Sequence, residues 1–257
     1  MVAASFGNDD MSGPIQAHFV AAGKYHDIDF ARLELLKLMA QEPRIRATVA
    51  MDYGDTDRLA ACDFLITYTC DVVPTADEVA ALQAFLARGG RWLALHGTNS
   101  ILKFLESGLV DAPDDAPAFM QMLGSQFVAH PPIGPFTVEV PDTGDPLTRG
   151  MGDFEVVDEL YLSRTTADIK TLMLTRFTGE ATGFTNSEWH DAEVPILYRR
   201  RHGRGEIVYC TLGHCRGHYD VAVFTPFWPH PERCAWNYPI YHELLRRCLR
   251  WAIGELE

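Results

Sequence analysis

The chain has no uninterrupted apolar run of membrane-spanning length, and Met1 to Gln16 carry neither a basic n-region nor an apolar h-region. These absences argue against a membrane span and against a secretory leader. Positive charge is scarce too: 22 Lys and Arg stand against 35 Asp and Glu, a formal net charge of −13. A body this acidic repels phosphate backbones and anionic lipid, so neither nucleic acid nor membrane is an expected partner. The one basic run, Arg199-Arg200-Arg201-His202-Gly203-Arg204-Gly205, lies between strand-like stretches and reads as a charged hairpin turn. C-x-x-C spacing is missing. The six cysteines (Cys62, Cys70, Cys210, Cys215, Cys234, Cys248) fall largely in apolar elements, as small buried hydrophobes of a reducing compartment do. The expected location is the cytoplasm. Internal repeats, low-complexity tracts and compact metal motifs such as H-E-x-x-H are absent as well.

What is present fits one large α/β domain over residues 1–257, with 1–14 as a polar tail. Ile15 to Ala21 reads as a first strand, followed by the turn Gly23-Lys24-Tyr25-His26-Asp27 and a helix from about Asp29 to Ala40. Ile45 to Met51 and Phe64 to Tyr68 are further short apolar strands. Thr75-Ala76-Asp77-Glu78 forms a capping box, and Val79, Leu82, Phe85 and Leu86 continue as a helical stripe to Gly89. This alternation predicts a parallel sheet covered on both faces. The second half reads differently. Phe136 to Val140, Phe154 to Leu162, Leu172 to Phe177, Val194 to Arg200 and Glu206 to Leu212 are strand-like with little helix between them, which predicts antiparallel additions to the sheet. An amphipathic helix from about Tyr238 to Ile253 closes the chain.

The apolar stretch Gly89 to Leu95 ends in His96-Gly97-Thr98-Asn99, and in an open α/β sheet the carboxyl ends of strands form the ligand crevice. His26, His130 and His214 also stand at or just beyond strand-like or apolar stretches. Singly, each is more often a hydrogen-bonded structural histidine; as a set at strand ends they can converge. In Asp158-Glu159-Leu160-Tyr161, strand alternation turns Glu159 and Tyr161 to one side and Asp158 and Leu160 to the other, so one carboxylate enters a site. Imidazoles with one carboxylate suit zinc, manganese or iron.

Other residues invite chemistry less strongly. His230-Pro231-Glu232 carries the histidine and glutamate of an amidotransferase triad, but Phe224 to Pro229 contains two prolines where a strand is required. The nucleophilic cysteine is missing too, since His96 holds the strand-to-helix elbow. His230 is therefore read as a surface-loop residue. Cys215 beside His214, with His218 near, reads as a partly buried thiol in a turn. Trp189 with His190, and Trp228 with Trp236, could stack on a sugar ring, though aromatics more often pack.

Taken in order, these pieces resemble the trehalose-utilisation (ThuA-like) family from about Ile15 to Gly254. The resemblance rests on the Gly23 to Asp27 turn, Leu95-His96-Gly97, Val128-Ala129-His130-Pro131, Asp145 to Gly150, Asp158 to Tyr161, Leu212-Gly213-His214 and Arg250-Trp251-Ala252. Cys215 to Asn237 is longer and more aromatic than the family pattern. The resemblance implies a flavodoxin-like or class I glutamine amidotransferase-like three-layer sandwich that lacks the cysteine, and a small-molecule carbohydrate as partner. The leading expectation is an enzyme acting on a 3-keto-glycoside or related keto-sugar by proton abstraction and elimination or hydrolysis. His96, His130, Glu159 and His214 would hold a divalent metal or the enolate. His26, His96 and Glu159 would form the catalytic group, with His26 for proton transfer, and Lys24, Tyr25, Asn99, Tyr161 and Trp236 would bind substrate. A keto-sugar isomerase or epimerase, or a non-catalytic carbohydrate-binding or regulatory protein, remains the alternative; homo-oligomerisation is left open.

Overall fold

The computed structural model describes residues 13–141, 143–217, 226 and 230–256. The polar tail through residue 12, His218 and Trp228 lie outside the described residues. In chain order the elements are β1 (Ile15–Gly23), α1 (Ile28–Met39), β2 (Ile45–Ala50), α2 (Thr56–Ala61), β3 (Phe64–Cys70), α3 (Ala76–Ala87), β4 (Arg91–Leu95), β5 (Lys103–Phe104), β6 (Val110–Asp111), α4 (Pro117–Leu123), β7 (Ser125–Ala129), β8 (Gly134–Val138), β9 (Phe154–Asp158), β10 (Leu162–Thr165), β11 (Lys170–Glu180), β12 (Glu188–His202), β13 (Gly205–Cys210) and α5 (Pro239–Ala252).

The main sheet has the order β11-β12-β13-β4-β3-β1-β2. From β13 to β2 all neighbours are parallel, while β11 and β12 join antiparallel through the Gly203-Arg204 turn. All seven residues of β3 are buried, as a strand with both faces covered requires. Alternate residues feed two cores. Phe19, Ile66, Leu93 and Val208 meet Ala31 and Leu35 of α1 and Tyr241, Leu244 and Cys248 of α5. Val20, Leu65, Trp92 and Ile207 meet Leu59 of α2, Leu82, Phe85 and Leu86 of α3 and Phe119 of α4. The result is a three-layer α/β/α sandwich with a mainly parallel sheet and antiparallel additions, the expected class. The Thr75 side chain caps α3 and the Glu78 carboxylate returns to the Thr75 N–H, so the capping box forms as read.

Strand order reverses between β1 and β3, which places a crevice at their carboxyl ends, where Gly23 pairs with Cys70. The second half departs from expectation. Among the described residues only β11 and β12 extend the main sheet as antiparallel strands; β8 pairs with β9, and β7 with β10, in separate two-stranded ribbons. Phe154 to Leu162 is not one strand, because the chain leaves the first ribbon at Asp158 and enters the second at Leu162. The Asp158 carboxylate fixes this break by accepting the backbone N–H groups of Glu159, Gly213 and His214.

Candidate functional site

Four sequence-distant segments deliver side chains to one buried point. His26 follows β1, His96 follows β4, His214 lies four residues past β13, and Glu159 occupies the break after β9. His96 begins a tight 3-10 turn (His96–Asn99) with φ +42°, a left-handed conformation that non-glycine residues hold mainly where surrounding contacts over-determine it. Those contacts are visible: the Tyr209 hydroxyl donates to the His96 carbonyl and accepts the Asn99 N–H. The next residue has to be glycine, because a Cβ on Gly97 would sit 2.5 Å from the Thr69 carbonyl oxygen.

The donor atoms of His26, His96, Glu159 and His214 all lie within 4.8 Å of one another. His26 Nε2 and His96 Nε2 are 2.9 Å apart. Glu159 Oε2 is 3.8 Å from His26 Nε2, 3.5 Å from His96 Nε2 and 3.1 Å from His214 Nδ1. The opposite ring nitrogens are all engaged. His26 Nδ1 donates to the Lys24 carbonyl at 3.0 Å, His96 Nδ1 donates to the Thr211 carbonyl at 2.7 Å, and His214 Nε2 is 3.2 Å from the Glu232 carboxylate. Because carbonyls only accept, the Nδ1 protons of His26 and His96 are fixed, and in the neutral rings both Nε2 lone pairs face each other. Burial keeps these rings neutral, pulling His96 down to about 3 and His26 below its ordinary value against the opposing pull of Glu159. His214 Nδ1 is buried and makes no hydrogen bond of acceptable geometry. Two facing lone pairs, one orphaned nitrogen and a carboxylate form a donor set that suits a divalent cation, with outer partners that orient the rings as metal-ligand histidines require.

The electrostatics agree with this donor set. Burial raises the Glu159 carboxyl, but His130, His214 and His26 outweigh it and hold the group well below its usual range. Burial lowers His214, yet Glu159 and Glu232 lift it to about 9, so without a bound cation a proton there supplies the positive charge. Burial pushes Asp158 up to about 7 despite its three N–H donors.

Beside the cluster lies a cavity of ≈ 220 Å³, with Leu102, Val110, Phe127 and Phe184 on its apolar side and His26, His130, Glu159 and Arg216 on its polar side. His130 stays outside the four-residue set: its Nδ1 donates to the Pro131 carbonyl, and its Nε2 faces the other Glu159 oxygen, Oε1, at 3.3 Å. The structure thus brings His26 where the sequence reading placed His130. Tyr25 and Tyr161 line the cavity, and the Tyr161 ring lies 4.3 Å from that of His96. Lys24, Asn99 and Trp236 do not line it. Lys24 is exposed and paired with Asp71; Asn99 turns inward to donate to Ser125; Trp236 is buried, donates to the Gly213 carbonyl and packs on Phe30 and Tyr68. His230 is exposed, and Trp189 and His190 belong to β12 rather than to a loop. Cys215 is buried against the Tyr68 hydroxyl, and burial pushes its thiol up to about 12, which suits an inert core group rather than a nucleophile.

Sequence reading missed Asp158 as the clamp on Gly213 and His214, and it missed Arg216 and Glu232, whose chains reach the cluster from beyond β13. Glu232 was visible as the third residue of His-Pro-Glu, but only the backbone bridge and side-chain pair between Arg216 and Glu232 reveal that Glu232 stands beside His214.

Fold and site together define an α/β sandwich carrying a histidine–carboxylate centre at the carboxyl edge of its sheet. The chain belongs to the ThuA family, described as trehalose utilisation, which matches residues 19–228. In structure it is similar to a ThuA-like protein from Bacteroides uniformis ATCC 8492, with 16% identity and a TM-score of 0.66 over 100% of this chain and 97% of the other. It is also similar to a ThuA-like protein from Parabacteroides merdae ATCC 43184, with 15% identity and a TM-score of 0.62 over 94% and 90% of the two chains. Among curated proteins none matches the chain in sequence. Among the described residues no helix is long and apolar enough to cross a membrane.

Proposed function

We propose that this ThuA-family protein is a cytoplasmic enzyme of carbohydrate metabolism that acts on a 3-keto-glycoside or related keto-sugar at a divalent transition-metal centre. The observation that carries the proposal is the convergence of His26 Nε2, His96 Nε2, His214 Nδ1 and Glu159 Oε2, each imidazole anchored by its other nitrogen. A zinc, manganese or iron ion held by these four residues would supply Lewis acidity toward a keto or hydroxyl oxygen.

His26 is therefore reassigned from proton transfer to the ligand set, and His130 takes the proton. With Nδ1–H fixed on the Pro131 carbonyl, His130 holds Nε2 at the cavity wall beside Glu159 Oε1, 28% of its side chain exposed, and a metal ion taking up the Glu159 charge would leave the Nε2 lone pair free to accept a proton. In a 3-keto-glycoside the ketone acidifies the C2 proton. His130 Nε2 takes that proton, the C2 electron pair forms the C1=C2 bond, and the C1 glycosidic bond breaks with its pair leaving on the aglycone oxygen. The proton on His130 returns to that oxygen, and addition of water across C1=C2 completes a net hydrolysis. Arg216 sets a positive charge on the same wall, favouring the developing enolate oxygen. The cavity is below the roughly 300–1,000 Å³ typical of drug-sized ligand sites, so it takes one small ring and leaves the rest of the substrate at the mouth.

The test is metal analysis of the purified protein together with turnover of a panel of glycosides oxidised at C3. Stoichiometric metal removed by chelator, with activity lost and restored on re-addition, is the expected result. Absence of both metal and turnover, with sugar binding retained, supports the non-catalytic alternative.

A further inference from the structure

We infer that the mouth of the cavity is an aglycone subsite built for a flat apolar or aromatic leaving group rather than for a second sugar ring, a reading that rests on the proposed keto-glycoside chemistry. The β5–β6 ribbon carries Phe104 to the rim, where the side chain remains 55% exposed although it is a large apolar group. Its ring lies 5.6 Å from that of Tyr25 at an interplanar angle of 51°. Tyr25 is itself held at φ +65°, so the backbone carries strain to present this residue beside the histidine that follows it. Below the two rings, Leu102, Val110 and Phe184 continue an apolar wall down to His130, whose ring centroid is 4.7 Å from that of Phe184. Of the polar side chains that line the cavity, His26, His130, Glu159 and Arg216 belong to the histidine floor and Tyr161 packs on His96, while Tyr25 brings a hydroxyl to the rim beside the Phe104 ring. A second pyranose has the Tyr25 hydroxyl to pair with, but those of its hydroxyl groups turned to Leu102, Val110 and Phe184 would be buried without partners, at about 1–3 kcal/mol for each one left unsatisfied. An aromatic ring loses nothing there and gains edge or offset contacts with Phe104 and Tyr25.

The experiment compares phenyl and methyl glucopyranosides of one anomeric configuration with a disaccharide, first as unoxidised ligands by calorimetric binding and then as C3-oxidised substrates by kcat/KM. Phe104→Ala, at an exposed position, is compared with wild type, and Leu33→Ala, an exposed apolar residue on α1 remote from the cavity, serves as control. The expected result is phenyl over methyl and over disaccharide in wild type and in the control, with the phenyl-to-methyl ratio falling about three- to tenfold in Phe104→Ala. Equal binding of phenyl glycoside and disaccharide, or a ratio unchanged by Phe104→Ala, overturns the inference even when oxidised glycosides turn over. Phenyl preference that depends on Phe104 without turnover of any oxidised glycoside upholds the subsite and removes the keto-sugar chemistry.

Discussion

The imidazoles of His26, His96 and His214 each spend one ring nitrogen on a protein acceptor and turn the other toward Glu159, so we expect the three rings and the carboxylate to act as one unit rather than as four packing residues. Such groups are non-additive. We expect His96→Ala and His214→Ala each to lose bound metal and turnover, and the double variant to lose little more than either single one; metal content and keto-glycoside turnover, read beside thermal unfolding, check this. Losses that merely follow unfolding would return the histidines to a structural role. Glu232 acts one step further out, through His214 Nε2. Glu232→Gln keeps the shape and removes the charge, and we expect metal affinity to fall by roughly 10- to 100-fold with the fold intact, as loss of an outer-shell partner typically does. A metal titration of the two proteins at one pH measures it.

At the scale of elements, the site is a product of turns rather than of regular structure. Gly97 lies over the end of β3, and a methyl group there would meet the Thr69 carbonyl oxygen and the Cys70 side chain. Gly97→Ala should therefore cost about 1–3 kcal/mol as an overpacked position, a fall in Tm of roughly 2–4 °C per kcal/mol in a chain of this size, and should displace His96 enough to weaken metal binding. Unfolding and metal titration of Gly97→Ala check both effects. The same distinction explains what the sequence made legible. The first helix, the apolar stripes of α3 and α5, the largely apolar β3 and β4, and the histidines at strand ends could be read directly, because each signal is local. The split between β9 and β10 could not, because Phe154 to Leu162 is uniformly strand-like and the break is imposed by Asp158 reaching across to Gly213 and His214. The exchange of His26 for His130 was hidden for a related reason. Both follow strands, but His130 leaves a side ribbon and approaches Glu159 from the cavity, whereas His26 leaves the central sheet beside His96. Trp236 looked available because it precedes the last helix, and only its hydrogen bond to the Gly213 carbonyl shows that it supports the His214 turn from within.

For the molecule as a whole, the centre joins residues 26, 96, 159 and 214, so a bound ion would cross-link the ends of β1, β4 and β13 with the break after β9, and its binding free energy would become folding stability. The direction with pH follows from the histidines. His26 and His96 have lowered folded values, His96 to about 3, so the folded state resists protons that the unfolded chain accepts below about 6.5; stability is undiminished above that pH and falls as pH drops toward 3. Asp158, raised to about 7, takes up a proton in the same range and offsets one of those two histidines but not both. His214 has the opposite sign: raised to about 9, it contributes fully below 6.5 and loses its contribution as pH rises through 9. The chelator-treated protein should thus be most stable near pH 6.5–7 and decline on both sides. Metal and proton compete for His214 Nδ1, so stabilisation by metal should grow from pH 7 to 9 and reach about 2.7 kcal/mol once free metal is 100-fold above its Kd. Thermal unfolding across this pH range, with and without added zinc or manganese, separates the two curves. An alkaline decline that metal fails to reverse would show that His214 is an ion-pair partner of Glu159 and Glu232 and not a metal ligand.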